Sequence, residues 1–187
     1  MISAVYDACV LFSGALRDLL MNIAVSRVVR AYWSDDIHDE WIRSLLKNRP
    51  GLSRERLEQT RRQMNEHAEG SLITGYEHLI PTLWLPDPND RHVLAVAIRS
   101  GAKLIVTYNQ DDFPAKVLAS YSIKAVSPDD FVFELLRNNP NEILFAVKFH
   151  RASLTRPAKT VEEYLATLEK QGLSKTVAFL RNHVGDL

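Results

Sequence analysis

At 187 residues, 46% of them hydrophobic, the chain suits one domain with room for an appendage and for a real apolar core. Its 23 basic and 23 acidic side chains leave a net charge of zero, so the overall balance does not point to nucleic acid. No apolar run reaches the roughly 18 residues of a membrane span, no basic n-region with a cleavage site opens the chain, and the one cysteine excludes an intrachain disulfide, which makes the cytoplasm the expected location.

The run Ala4–Phe12 is apolar except for Asp7, and its first half, rich in strand formers, predicts a buried strand. Cys9 lies in the same run with no base beside it and reads as core packing. Leu16, Leu19, Leu20, Ile23 and Ala24 recur at helical spacing within Leu16–Val29, and a short strand follows at Ala31–Trp33. Ser34 is a candidate N-cap for a helix through Ile37, Trp41, Leu45 and Leu46, broken by Pro50 and Gly51. Ser53 opens another helix, Arg54–Ala68, and Leu72–Ile73 is a third strand candidate. From Trp41 to Glu66 seven basic residues (Arg43, Lys47, Arg49, Arg54, Arg56, Arg61, Arg62) face three acids (Glu55, Glu58, Glu66), a local net of +4. Such a stretch can contact phosphates or simply form a solvated helix face.

The turn-rich segment Pro86–Asn89 precedes a helix, Asp90–Arg99, that ends at a C′ glycine, Gly101. Leu104–Thr107 is an unbroken run of the kind found in a central parallel strand. A helix over Phe113–Ala119 and a fifth strand at Lys124–Val126 follow, and Ser127-Pro128 opens the helix Asp129–Leu136. Strands alternating with helices predict an α/β unit with a parallel sheet, in which ligands bind beyond the strand carboxyl ends. After Arg137 only helices are expected. One starts at Asn139-Pro140, one carries a Thr160/Glu163 capping box, and one covers Ser174–His183. The chain thus divides into a core of residues 1–137 and a helical extension of residues 138–187.

The chemistry-bearing positions are acids and amides near strand ends or on an adjoining helix: Asp7, Glu40, Asp90, and the cluster Asn109, Asp111 and Asp112. A carboxylate near an apolar run is costly unless it is paired or binds a cation. Several acids converging on one crevice suit a hard divalent cation such as Mg²⁺, which prefers oxygen ligands. Each has a plainer role open to it. Glu40 shares its stretch with Asp35, Asp36 and Asp39, Asp90 can cap its helix, and Asn109 can be a turn residue. The six histidines show no zinc-type spacing, and His92 reads as a helix-surface residue. Arg91 can meet a phosphate or solvent. No glycine-rich phosphate loop and no Ser–His–Asp set is present. A phosphatase of the haloacid-dehalogenase type would need a second Asp two positions after the first, where this chain has Cys9.

Asp7 after the first strand, Glu40 on a helix after the second, and the block DPNDRHVLAVAIRSGAKLIVTYNQDDF at residues 87–113 together resemble a PIN domain, the ribonuclease fold of VapC-type toxins. The resemblance covers roughly residues 2–137, and the nearer match is the longer subgroup with a helical C-terminal extension. It implies a three-layer α/β/α fold around a five-stranded parallel sheet. It also implies Mg²⁺ or Mn²⁺ held by Asp7, Glu40 and Asp90, and endonucleolytic cleavage of RNA. Thr107 and Asn109 match the family's polar strand-end motif, but an aspartate is usual where this chain has Asn109, so Asp112 or Asp111 would supply the missing carboxylate. A cognate antitoxin protein and a homodimer are the implied partners. The alternative is a PIN-like module that binds RNA or protein without catalysis, for which Asn109 is the main support.

Overall fold

Strand β1 (Ile2–Tyr6) runs through the middle of the sheet, and its Ala4, Val5 and Tyr6 are shut off from solvent. In the computed structural model, which describes residues 1–187, β1 is followed by α1 (Ala8–Leu11), α2 (Gly14–Val25), β2 (Val29–Tyr32), α3 (Asp35–Asn48) and α4 (Arg54–His67). Two 3₁₀ turns, Glu77–Thr82 and Pro88–Asp90, lead into α5 (Arg91–Ser100) and β3 (Leu104–Val106). A third 3₁₀ turn, Gln110–Asp112, precedes α6 (Ala115–Ala119) and β4 (Lys124–Val126). The helices α7 (Pro128–Asn138), α8 (Pro140–Ser153), α9 (Val161–Glu169) and α10 (Ser174–Arg181) follow. No helix is long and apolar enough to cross a membrane.

The sheet is parallel throughout, in the order β2-β1-β3-β4. Tyr6 pairs with Val106, and Val106 with Val126, so β1, β3 and β4 end level with one another. The chain crosses from β2 on one side of β1 to β3 on the other. The switch point therefore lies between β1 and β3, and the crevice beyond their carboxyl ends is the place where such sheets bind ligands.

Four strands form, not five. Leu72–Ile73 makes only one parallel bridge, Trp33 to Leu72, held by Trp33 N–H to Ser71 O at 3.0 Å and Ile73 N–H to Trp33 O at 2.8 Å. Gly70 and Gly75, with φ of 81° and 73°, turn the chain on either side and leave too few residues to extend the ladder. Helix α2 stops at Val25 rather than continuing to Val29, because Arg27 adopts a left-handed φ of 62° and the following residues pair with β1. Helix α6 starts at Ala115, after the 3₁₀ turn and Pro114. The expected caps form at Ser34, Ser53 and Ser127, as do the left-handed Gly101 and the Thr160/Glu163 box.

A buried polar network holds α3 in place. Trp41 Nε1–H donates to His38 Nδ1 at 3.0 Å, so the ring proton sits on Nε2, which faces Asn65 Oδ1 of α4 at 3.1 Å. Trp33 Nε1–H donates to the same oxygen at 2.7 Å. Burial pushes the His38 pKa down to about 4, so the ring is neutral at pH 7. On the outer side Arg61 of α4 pairs with Asp35, with Asp39 at 2.8 Å and with Glu58 at 3.5 Å. Arg54 also pairs with Glu58, at 3.7 Å, so part of the basic stretch is neutralised within the fold.

Helix α8 packs on α2 and α7, α7 on α10, and α10 on α9. One apolar cluster of 49 buried residues runs from β1 through Ile143, Val147, Leu165 and Val177, so these helices share the core of the sheet. Replacing Asn65 by Ala strands the buried indole N–H of Trp33 and the ring N–H of His38. Urea unfolding should show a loss of about 2–3 kcal/mol.

Candidate active site

Asp7 stands directly beyond β1 and is 4% exposed. It is the N-cap of α1, where Oδ1 accepts the Ala8 N–H at 2.7 Å. Its Oδ2 accepts the Thr107 hydroxyl at 2.7 Å and the Cys9 thiol at 3.2 Å. Burial raises its pKa, the Thr107, Cys9 and Ala8 donors pull it back, and Glu40 adds to the rise. Cys9 packs against the core as expected and also takes part in the site. Its sulfur also accepts the Tyr108 N–H at 3.3 Å, and its thiol pKa is pushed up to about 12 by burial and by Asp7, so it stays protonated. The local signal for this is its place at the second position of a helix capped by Asp7, from which a side chain reaches back to the cap.

Asp90 closes the 3₁₀ turn before α5 and makes no capping bond. Asp87 caps the 3₁₀ turn, its Oδ1 accepting the Asn89 N–H at 2.8 Å. The Asp90 carboxyl is pushed up to about 7, by burial first and then by the charges of Asp7, Asp87, Asp112 and Glu40. The structure therefore brings Asp7, Glu40, Asp90 and Asp112 into one electrostatic field. Asp87 is a further member, masked in the sequence by its turn-rich surroundings. Glu40 keeps 42% of its side chain exposed, and its Oε2 lies 3.3 Å from His92 Nε2. His92, only 14% exposed, is no surface residue, and its Nδ1 is buried without a partner. No sequence pattern could have joined His92 to Glu40, because they lie on different helices.

Thr107 is fully buried and receives the Asn109 N–H on its oxygen at 3.0 Å. Asn109 is exposed, on the rim beyond β3. Asp112 is half-buried and contributes to the field at Asp90. Asp111 instead lines a groove between α6 and β4 with Gln110, Phe113 and Lys124.

As the side chains stand, no group of three or more His, Cys, Asp or Glu residues is placed to hold a metal ion. The donor chemistry nevertheless fits Mg²⁺ or Mn²⁺. All the converging acids are oxygen donors, Asp7 is oriented by three hydrogen bonds, and the crowding felt by Asp90 is repulsion that a cation would relieve. Mg²⁺ keeps several of its waters and takes one or two carboxylates.

Residues 3–111 match the family model of the PIN domain, and residues 128–182 match that of the VapC50 C-terminal domain. A 47-residue stretch, 25% of this chain, is 53% identical to a protein described as "Putative ribonuclease VapC50" from Mycobacterium tuberculosis (strain ATCC 25618 / H37Rv). The shared stretch covers 28% of that relative's length. No solved structure matches the chain. With the PIN match spanning more than half of its length and the second match following it, this chain belongs to the PIN domain family, in the VapC-like form that carries a C-terminal extension.

Proposed function

We propose that this protein is a Mg²⁺- or Mn²⁺-dependent endoribonuclease and the toxin of a type II toxin–antitoxin pair, restrained by a cognate antitoxin protein. The observation that carries the reading is the buried Asp7 at the switch point, oriented by three donors, whose charge meets those of Asp87, Asp112 and Glu40 at Asp90. The ribonuclease name of the relative and the PIN match support RNA as the substrate. In this reading residues 1–137 form the nuclease and residues 138–187 an extension packed on it.

Asp7, Glu40, Asp90 and Asp112 would hold the cation. When bound, it makes a water more acidic and offsets charge developing on the phosphoryl oxygens. Asp7 provides a carboxylate whose orientation Thr107, Cys9 and Ala8 have already set, which spares reorganisation during reaction. Asp112 supplies the charge that Asn109 lacks, and Asn109 lies exposed just beyond β3. His92, beside Glu40, restricts where that carboxylate can swing.

Incubating a structured RNA pool with the purified protein should give cleavage with Mg²⁺ or Mn²⁺ and none with EDTA. Asp7→Asn should lower the rate roughly 10²–10³-fold while the protein stays folded. Absence of cutting by the folded, antitoxin-free wild type would favour the non-catalytic binding module, with Asn109 as the suspected cause.

The raised Asp90 pKa gives a second test. The metal-free folded state holds the Asp90 proton up to about pH 7, whereas the unfolded chain releases it near the ordinary value of 3.8. Asp90 therefore costs the metal-free protein stability progressively as pH rises from about 4 to 7. Thermal unfolding without metal should show Asp90→Asn stabilising the protein at pH 8 and leaving it nearly unchanged at pH 4. Mg²⁺ should stabilise the wild type more at pH 8 than at pH 5. Equal effects of Asp90→Asn at both pH values would remove Asp90 from the acidic field.

A further inference from the structure

The carboxyl end of β3 is tied to the C-terminal helices through one side chain. Tyr108, between Thr107 and Asn109, donates its hydroxyl hydrogen to the Gln171 carbonyl oxygen at 2.7 Å. Gln171 lies in the turn between α9 and α10, where Gly172 adopts a φ of 76°. That turn is itself anchored. Asp129, on the first turn of α7 and 9% exposed, accepts the Lys175 and Thr176 N–H groups on its two oxygens, both at 2.9 Å, and so caps the start of α10. The Tyr108 phenol pKa is pushed up to about 12, by burial first and then by Cys9 and Asp129, so the hydroxyl remains a donor at neutral pH.

The other side of Tyr108 leads to the acids. Its backbone N–H donates to Cys9 Sγ at 3.3 Å, and the Cys9 thiol donates to Asp7 Oδ2 at 3.2 Å. Its neighbour Thr107 donates to the same oxygen at 2.7 Å. Thr107 is fixed by its N–H to Val126 O at 3.0 Å, whereas Tyr108, whose N–H meets Cys9, is the residue that the extension reaches directly.

We propose that Tyr108 is a positioning residue through which the C-terminal helices hold Asp7 in its cation-binding orientation, by way of the Tyr108 N–H and Cys9. The role rests on the metal-nuclease reading above. A bond of purely structural value would shift the unfolding temperature and leave cation affinity alone. A positioning bond does the reverse, since the carboxylate must be held at a set angle to contribute fully.

The test is Mn²⁺ binding, followed by electron paramagnetic resonance, on the full chain as wild type, Tyr108→Phe, Cys9→Ala and the double variant, with unfolding temperatures alongside. Tyr108→Phe removes only the hydroxyl. It should bind Mn²⁺ about fivefold more weakly, as expected for the loss of one hydrogen bond, while unfolding within about 3 °C of the wild type. The double variant should bind no more weakly than the weaker single variant, because both act on one route. If Tyr108→Phe proves unstable, Asp129→Asn, which loosens the turn while leaving residues 107–109 unsubstituted, should weaken Mn²⁺ binding in the same direction. Unchanged affinity in Tyr108→Phe, or losses that simply add in the double variant, would overturn the role of Tyr108 and leave the nuclease reading standing. A folded wild type that neither binds Mn²⁺ nor cuts RNA would overturn both.

Discussion

The hydrogen bond from the Thr107 hydroxyl to Asp7 Oδ2 is the joint on which the site depends. It closes the gap between the ends of β1 and β3, where the parallel ladder stops and the chain leaves in two directions. A lone carboxylate buried there would be a liability. Three donors make it tolerable as an anion and fix its direction, while its charge still reaches Asp90. Burial opposes ionisation and hydrogen bonding favours it. Burial wins at Asp7, whose pKa is raised despite three donors, which leaves the carboxylate in need of a positive partner.

The second acid of the set, Glu40, is placed by a different kind of force. Helix α3 is held by an indole–imidazole–amide network with no net charge, whose bonds run from 2.7 to 3.1 Å and whose members are buried or half-buried. Such a network tolerates little sliding, because a shift would leave a buried N–H without an acceptor. The ion pairs of Arg61 on the solvent side add less, since exposed pairs are weak. Glu40 rides on this fixed helix yet remains partly exposed, so its carboxylate can adjust while its backbone cannot.

The C-terminal helices belong to the same mechanical unit. They bury their apolar faces in the core of the sheet, and at its carboxyl end they reach Tyr108 and Asp129. A PIN-type sheet brings the acids to one edge by topology, but the backbone that orients Asp7 is short and irregular beyond β3. The Thr107 N–H bond to Val126 O at 3.0 Å limits its freedom, and the Tyr108 hydroxyl adds a tie to the α9–α10 turn.

Much of this is legible from residue order. The strand preceding Asp7, the run before Thr107, the serine caps and the Thr160/Glu163 box all rest on bonds and periodicities that span a few residues, so local sequence carries them. The coincidence of carboxylates with strand ends also points to the site, because a charge beside an apolar run is costly unless a partner or a cation meets it. The third strand candidate, Leu72–Ile73, has the thinnest local signal, and flanking left-handed glycines reduce it to a bridge. Other features depend on distances that only packing sets. These include the approach of His92 to Glu40, the reach of Tyr108 to Gln171, and the direction in which Asp111 and Asp112 diverge on one turn. Cys9 packs against the core as its apolar neighbours suggest, but that its thiol also meets Asp7 is decided by the helix cap beside it. Residue order specifies which groups can do chemistry and roughly where each element begins. The folded arrangement decides which of them meet, because hydrogen bonds need direct approach and charges are screened beyond a Debye length of about 10 Å, and no local pattern records which distant segments come that close.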